Sequence, residues 1–243
     1  MSSICIIPAR MGSSRFPGKP LEKILGKEMI AYCYENAVNS QAFEKTYIAT
    51  CDVVIQKFCQ KNNMNVVMTS DKHDRCTSRT LEAVINIENN IRKYFKDIVM
   101  LQGDEPLITS EMLKKCSNAL NSYSVVNLMA RATEDEAESI DEVKVVINEQ
   151  NDAIYFSRAK VPETKDSVKV MFYKQVCAIG FSREMLIKFE SFSPSNLEIV
   201  ESIDMNRFIE NKTNIKMVEV FGEIVSVDTL SDLKKVEKIL DEK

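Results

Sequence analysis

ICIIPARMGSSRFPGKPL, Ile4 to Leu21, decides how the rest of the chain is read. Its first four residues are apolar without interruption, as expected of a strand covered on both faces. The remainder carries two arginines, a lysine, two glycines and three prolines. That composition forbids a helix and leaves a positively charged turn at the strand's carboxyl end.

Outward from this loop the pattern repeats. Glu28 to Asn39 has Met29, Ile30, Cys33 and Ala37 at helical spacing. Strands are expected at Thr46–Thr50, Asn65–Met68 and Ile98–Leu101, alternating with helices at Val53–Asn62, Arg79–Ile91 and Ser110–Leu120. Such alternation argues for an α/β fold whose mostly parallel sheet is covered on both faces. Sheets of this kind bind ligands beyond the carboxyl ends of their strands.

The rhythm changes near Val125. Glu142–Ile147 and Ala153–Phe156 flank a turn-like NEQND, so residues from about 125 to 185 read as an antiparallel excursion. A strand at Phe172–Phe181, a helix at Leu197–Glu210 and strands near Ile215–Val220 and Ile224–Val227 then lead to a last helix, Leu230–Leu240. Its apolar face carries Leu230, Leu233, Val236 and Ile239. No linker composition separates independent domains, so one domain spanning residues 1–243 is expected.

The loop is not a P-loop, because five residues rather than four separate Gly12 from Gly18 and Pro20 follows Lys19. It also lacks the G-x-G-x-x-G of dinucleotide folds. Its chemistry still suits phosphate: Gly12 permits close backbone approach, and Arg10, Arg15 and Lys19 bring three positive charges. The plain alternative is a solvated basic turn stiffened by proline. Two acidic sites stand at comparable positions. VMLQGDEPLI places Gln102, Gly103, Asp104 and Glu105 at the end of a buried strand, and IVSVDTLSDL ends another apolar run with Asp228. Two carboxylates plus phosphate oxygens and water suit Mg2+, so Asp104 and Asp228 are candidate ligands of one ion. Thr229 and Asp232 fit a helix-capping box instead.

Bulk properties exclude several classes. A net charge of −4 over 243 residues gives no default basic surface for nucleic acid. No run approaches the roughly 20 apolar residues of a membrane span, and no secretory leader opens the chain, so a soluble cytoplasmic protein is expected. The seven cysteines include no C-x-x-C pair and there is a single histidine. Buried free thiols are therefore the expectation, not zinc or disulfides.

Taken together, IPARMGSSRFPGKPL, GKEMI (Gly26–Ile30), YIATCD (Tyr47–Asp52), QGDEPLI (Gln102–Ile108), VKVVIN (Val143–Asn148), YFSRAKVP (Tyr155–Pro162) and VDTLSDL (Val227–Leu233) make the chain resemble the 3-deoxy-manno-octulosonate (Kdo) cytidylyltransferases. The resemblance implies a Rossmann-like nucleotidyltransferase domain and an excursion used for homodimer formation. It implies Mg2+-dependent transfer of CMP from CTP to the anomeric hydroxyl of a 2-keto sugar acid, with release of pyrophosphate. Carried over by motif, Arg10, Arg15, Lys19 and Asp104 serve catalysis, and Asp104 and Asp228 hold the metal. The nucleotide would meet Pro8, Ala9, Arg10, Gly12, Ser13, Arg15, Lys19, His73, Thr77, Arg79 and Gln102. The sugar would meet Gln102, Arg158, Gln175, Asp204 and Arg207, with Ser157 close by.

The chain departs from that family at three places. HDRCTSR (His73–Arg79) stands for roughly HxSGTER, so Arg75, Cys76 and Ser78 replace serine, glycine and an acid. In YKQVCAIGF (Tyr173–Phe181), Gln175, Cys177 and Ile179 replace histidine, glycine and tyrosine. In VESIDMNRFIEN (Val200–Asn211), Asp204 falls at a glutamate, Met205 at a glutamine and Arg207 at an arginine. Losing several hydrogen-bonding groups is expected to alter which acceptor is taken. The alternatives are another base, another acidic acceptor, or a non-catalytic nucleotide-binding subunit.

Overall fold

The structure is a computed structural model that describes residues 2–13, 15–163 and 170–242. Ser14 in the first loop and residues 164–169 in the expected excursion lie outside the described residues. In chain order the elements are β1 (Ser3–Pro8), β2 (Lys23–Ile24), β3 (Lys27–Glu28), α1 (Met29–Asn39), β4 (Lys45–Thr50), α2 (Val53–Lys61), β5 (Val66–Met68), α3 (Cys76–Ile91), β6 (Asp97–Leu101) and α4 (Ser110–Ala119). They continue with β7 (Val125–Ala132), α5 (Glu134–Glu138), β8 (Lys144–Ile147), β9 (Ala153–Ser157), β10 (Phe172–Ser182), α6 (Arg183–Ser191), α7 (Asn196–Glu201), α8 (Met205–Glu210), β11 (Lys216–Glu219) and α9 (Leu230–Asp241).

The main sheet runs β11-β7-β10-β6-β1-β4-β5, and β10 is its antiparallel member, pairing in reverse with both β6 and β7. Every residue of β1 is buried. Alternation explains the unbroken apolar run: Ile4 and Ile6 pack on one face with Val84, Phe181 and Phe208, while Cys5 and Ile7 pack on the other with Ile30, Cys33 and Leu113. A third, smaller core joins Phe16, Ile24 and Met29 to Leu107, Val227, Leu233 and Val236. It seats α9 beside the first loop, and Phe16 is the loop's apolar anchor.

Four details differ from the sequence expectations. Residues 125–185 are not wholly an excursion, because β7 and β10 lie inside the main sheet and only the β8–β9 hairpin leaves its path, joined at Lys174–Lys144. β7 is buried along most of its length and the first half of β10 alternates, so both sit inside the covered sheet. The expected helix 197–210 is two short helices: Ser202 adopts a φ of 57° and closes α7, and Ile203 is buried before α8 begins. Ile224 and Val227 are buried, which accounts for the apolar run, but residues 224–227 form a connection and not a strand. Leu230 is 62% exposed, so the core face of α9 begins at Leu233. Its capping box is as expected, with the Thr229 hydroxyl accepting from the Asp232 amide.

Candidate active site

A cavity of about 610 Å3 opens at the carboxyl ends of β1 and β6. Its wall includes Arg10, Arg15, Gln102, Asp104, Arg158, Gln175, Asp204 and Asp228 from the expected set.

The first loop is fixed by its own backbone and by one acid at the N-cap of α2, just after the neighbouring strand β4. Gly18 N–H donates to Met11 O (2.9 Å), and Met11 N–H donates to Asp52 Oδ2 (2.8 Å). Asp52, the last residue of YIATCD, therefore holds the loop in place. Gly18 has a φ of +80°, a conformation that favours glycine. A Cβ on Gly103 would come within 3.4 Å of Pro8 O, so the QGDE turn packs closely on the end of β1. Gly12 is open, since a Cβ there would meet nothing within 4 Å.

These constraints bring the distant aspartates together. Lys19 Nζ donates to Asp104 Oδ2 (2.7 Å), Asp228 Oδ1 (2.9 Å) and Val227 O (3.0 Å). Val227 N–H in turn donates to Asp104 O (2.9 Å), which ties the two acidic segments backbone to backbone. Arg15 reaches Asp228 Oδ2 (2.9 Å) with one nitrogen and Asp141 with another. Burial alone would lower the Lys19 pKa, but the charges and hydrogen bonds of Asp104 and Asp228 outweigh it and hold the ammonium above its ordinary value. Asp104 Oδ1 is buried without a hydrogen-bond partner among the described residues. A hard, unpartnered oxygen beside a second carboxylate fits Mg2+, which needs only one or two protein carboxylates. Among the described residues no cluster of three His, Cys, Asp or Glu side chains is arranged for a metal.

Behind Asp104, Glu105 is buried and accepts from Cys177 N–H (3.1 Å) and the Ser226 hydroxyl (2.7 Å). Burial, reinforced by the Asp104 charge, pushes its pKa up to about 7. Cys76 and Cys177 also line the cavity. Burial, with Asp204 and Asp104 nearby, pushes the Cys76 thiol up to about 12, and burial together with Glu105 raises Cys177 well above its ordinary value. Both stay protonated at neutral pH, so neither supplies a thiolate nucleophile.

Other expected residues lie off the cavity wall. Pro8 and Ala9 are buried at the end of β1, and Gly12 and Ser13 lie on the loop beside the opening. Lys19 stands behind the two aspartates. His73 is engaged by Ser78 (3.0 Å) and Glu82. Arg79 is buried and donates to Thr69 Oγ1 (2.6 Å) and Ser70 O (3.0 Å), so it braces the segment that precedes α3. Thr77 is fully buried and donates to Asp204 Oδ2 (2.7 Å). Arg207 is buried against Glu198 in a two-pronged pair (2.6 Å each) and stacks 4.0 Å over Phe189. Burial raises the Asp204 pKa although Thr77 and Arg75 oppose it.

The YFSR segment converges on Glu201, which accepts from the Tyr155 hydroxyl (2.7 Å), the Ser157 hydroxyl (2.8 Å) and Arg158 N–H (2.8 Å). Ser157 is thus a buried latch. Gln175 lines the wall and donates to Asn127 Oδ1 (2.6 Å). Sequence reading missed an acidic wall, with Asp135, Glu136, Asp141 and Glu142 along the cavity. Lys174, itself buried, grips Glu136 (2.7 Å), Glu142 (3.4 Å) and Ile224 O (3.0 Å). The signal was six acids between Thr133 and Glu142.

A family model described as cytidylyltransferase matches residues 4–219. The chain is 38% identical over 240 residues to a 3-deoxy-manno-octulosonate cytidylyltransferase from Lawsonia intracellularis, covering 97% of this chain and 92% of that protein. The chain belongs to the 3-deoxy-manno-octulosonate cytidylyltransferase family. The Escherichia coli relative of the same description is 32% identical, with 98% and 96% covered. A solved CMP:2-keto-3-deoxy-manno-octonic acid synthetase complexed with CTP superposes with a TM-score of 0.89 at 30% identity, covering 100% of this chain and 99% of that one. A 4-diphosphocytidyl-2C-methyl-D-erythritol synthase from Anaerococcus prevotii, 13% identical with a TM-score of 0.67, shares the fold.

Proposed function

We propose that the chain transfers CMP from CTP to the anomeric hydroxyl of Kdo or a related 2-keto-3-deoxy sugar acid, with Mg2+, and releases pyrophosphate. The observation that carries this reading is the meeting of Asp104 and Asp228 on one Lys19 ammonium beside Arg15, at the strand ends where such folds take ligands. A triphosphate arriving there meets Arg10 and Arg15 on the wall and Lys19 behind it, while Asp104 Oδ1 remains free for a cation. When bound, Mg2+ would be held by Asp104 and Asp228 and would supply neutralisation of the phosphate charge. The remaining work falls to the chain. Arg10 and Arg15 neutralise the triphosphate, Lys19 holds the two aspartates together and in place, and Gln102 and Gln175 offer polar groups to the sugar. The hydroxyl attacks the α-phosphorus in line, so positioning and charge neutralisation dominate and no covalent enzyme intermediate is needed. The reading includes a homodimer and a cytoplasmic enzyme of surface-glycan synthesis, both taken from the family resemblance.

The test is pyrophosphate release with each nucleoside triphosphate against a panel of 2-keto sugar acids, with and without Mg2+. CTP- and Mg2+-dependent release with Kdo or a close relative is expected. GTP-dependent release would reassign the base, and no release with any pairing would leave a non-catalytic nucleotide-binding subunit.

A further inference from the structure

The cations of the cavity are not equally free. Arg10, Arg15 and Lys19 belong to the loop after β1 and are assigned above to the triphosphate. Arg158 spends its guanidinium on carbonyls, Glu201 O (2.9 Å) and Ile140 O (3.1 Å). Lys235 stands on α9 by Asp232 (3.6 Å). Arg75, which lines the cavity at the start of α3, is different. Its Nη1 donates to the Ser202 hydroxyl (2.9 Å), and its Nε faces Asp204 Oδ1 at 3.5 Å and Glu198 Oε1 at 3.8 Å, beyond good hydrogen bonding. Both acids have stronger partners, Glu198 in Arg207 and Asp204 in Thr77. Among the described residues no acceptor lies on Arg75 Nη2. The guanidinium is therefore steered from behind and keeps a donor edge for a ligand.

We infer that Arg75 is a specificity-determining residue that reads the carboxylate of the acceptor. This deepens the function proposed above and rests on it. A 2-keto sugar acid carries a carboxylate next to the carbon whose hydroxyl attacks, and the loop cations are occupied by the triphosphate. Bringing a second anion into the same cavity calls for a cation of its own, and a planar guanidinium matches a carboxylate in geometry as well as charge. Ser202 sets the plane of the fork, while the long contacts to Asp204 and Glu198 turn it without consuming it.

The experiment uses the full chain with CTP, Mg2+ and two probes, Kdo and its methyl ester, which lacks the carboxylate charge. The wild type is expected to favour Kdo over the ester by about tenfold or more. Arg75→Met is expected to raise KM for Kdo by a similar factor, to leave KM for CTP within about twofold and to erase the preference for the acid; Arg75→Lys recovers part of it. If the methionine variant does not fold, Arg75→Gln, which keeps a donor for Ser202, is read in its place. An equal rise for acid and ester would reduce Arg75 to a wall brace and overturn the assignment. A rise in KM for CTP alone would move Arg75 to the nucleotide and overturn it too. A wild type silent with every sugar acid would sink the functional reading itself, a result distinct from any change confined to the variants.

Discussion

Two clusters of charge flank the cavity, and they are satisfied to different degrees. At Lys19, two carboxylates crowd one ammonium, Arg15 is shared between Asp228 and Asp141, and an Asp104 oxygen is left over. At Arg207, one guanidinium meets the Glu198 carboxylate in a matched fork, stacks on Phe189 and points its remaining donors at the Phe189 and Phe192 carbonyls. Both were expected to contact substrates. The incomplete cluster has capacity for a ligand, whereas the complete one holds α7 against α8.

The sharpest way to break that comparison is at Asp104. Asp104→Asn is expected to lower turnover by at least about a hundredfold, because it weakens the proposed Mg2+ site and the charge balance at Lys19 together. Circular dichroism should show the fold retained, since Lys19 still has Asp228 and Val227 O. Full activity in this variant would remove Asp104 from the proposed Mg2+ site. Arg207→Met should do the reverse. It strands Glu198, which is 1% exposed, and is expected to cost about 3–5 kcal/mol in chemical denaturation, with turnover per folded molecule changing by less than about threefold. A raised KM for the acceptor without loss of stability would return Arg207 to the sugar site.

Glu105 sharpens the comparison by a smaller amount. The folded state keeps its proton up to about pH 7, whereas the unfolded chain releases it near 4.5. Folding therefore takes up a proton between those values, and this group's contribution to stability falls as pH rises through that window, by on the order of 3 kcal/mol. Without nucleotide or metal, Glu105→Gln is expected to flatten that part of the urea midpoint's pH profile from 4.5 to 8. Identical slopes in wild type and variant would mean that Glu105 is ionised throughout.

The parts legible in the sequence were those where one residue type has one job at one kind of position. Ile4–Ile7 could only be a covered strand, Asp104 and Asp228 each closed an apolar run, and Thr229 with Asp232 spelled a cap. Arg79, Thr77 and Arg207 were less legible because an arginine or threonine near a site looks the same whether it faces the ligand or the scaffold behind it. Their acceptors, Thr69, Asp204 and Glu198, lie 10, 127 and 9 residues away and follow no spacing rule. The place of β10 was hidden for a similar reason. Its alternating pattern announces antiparallel pairing but does not say with which strand, and it pairs with β6 across a gap of 70 residues.

That insertion has a consequence for how the molecule is made. On the ribosome, β1, β4, β5 and β6 are all synthesised by residue 101, but the apolar rim of β6 stays bare until residues 172–182 emerge. A nascent chain paused in between would expose an unpaired strand edge, the feature most prone to capture by neighbouring chains. Placing the reversed strand inside the sheet, beside β6, thus makes completion of the first half depend on synthesis of the second.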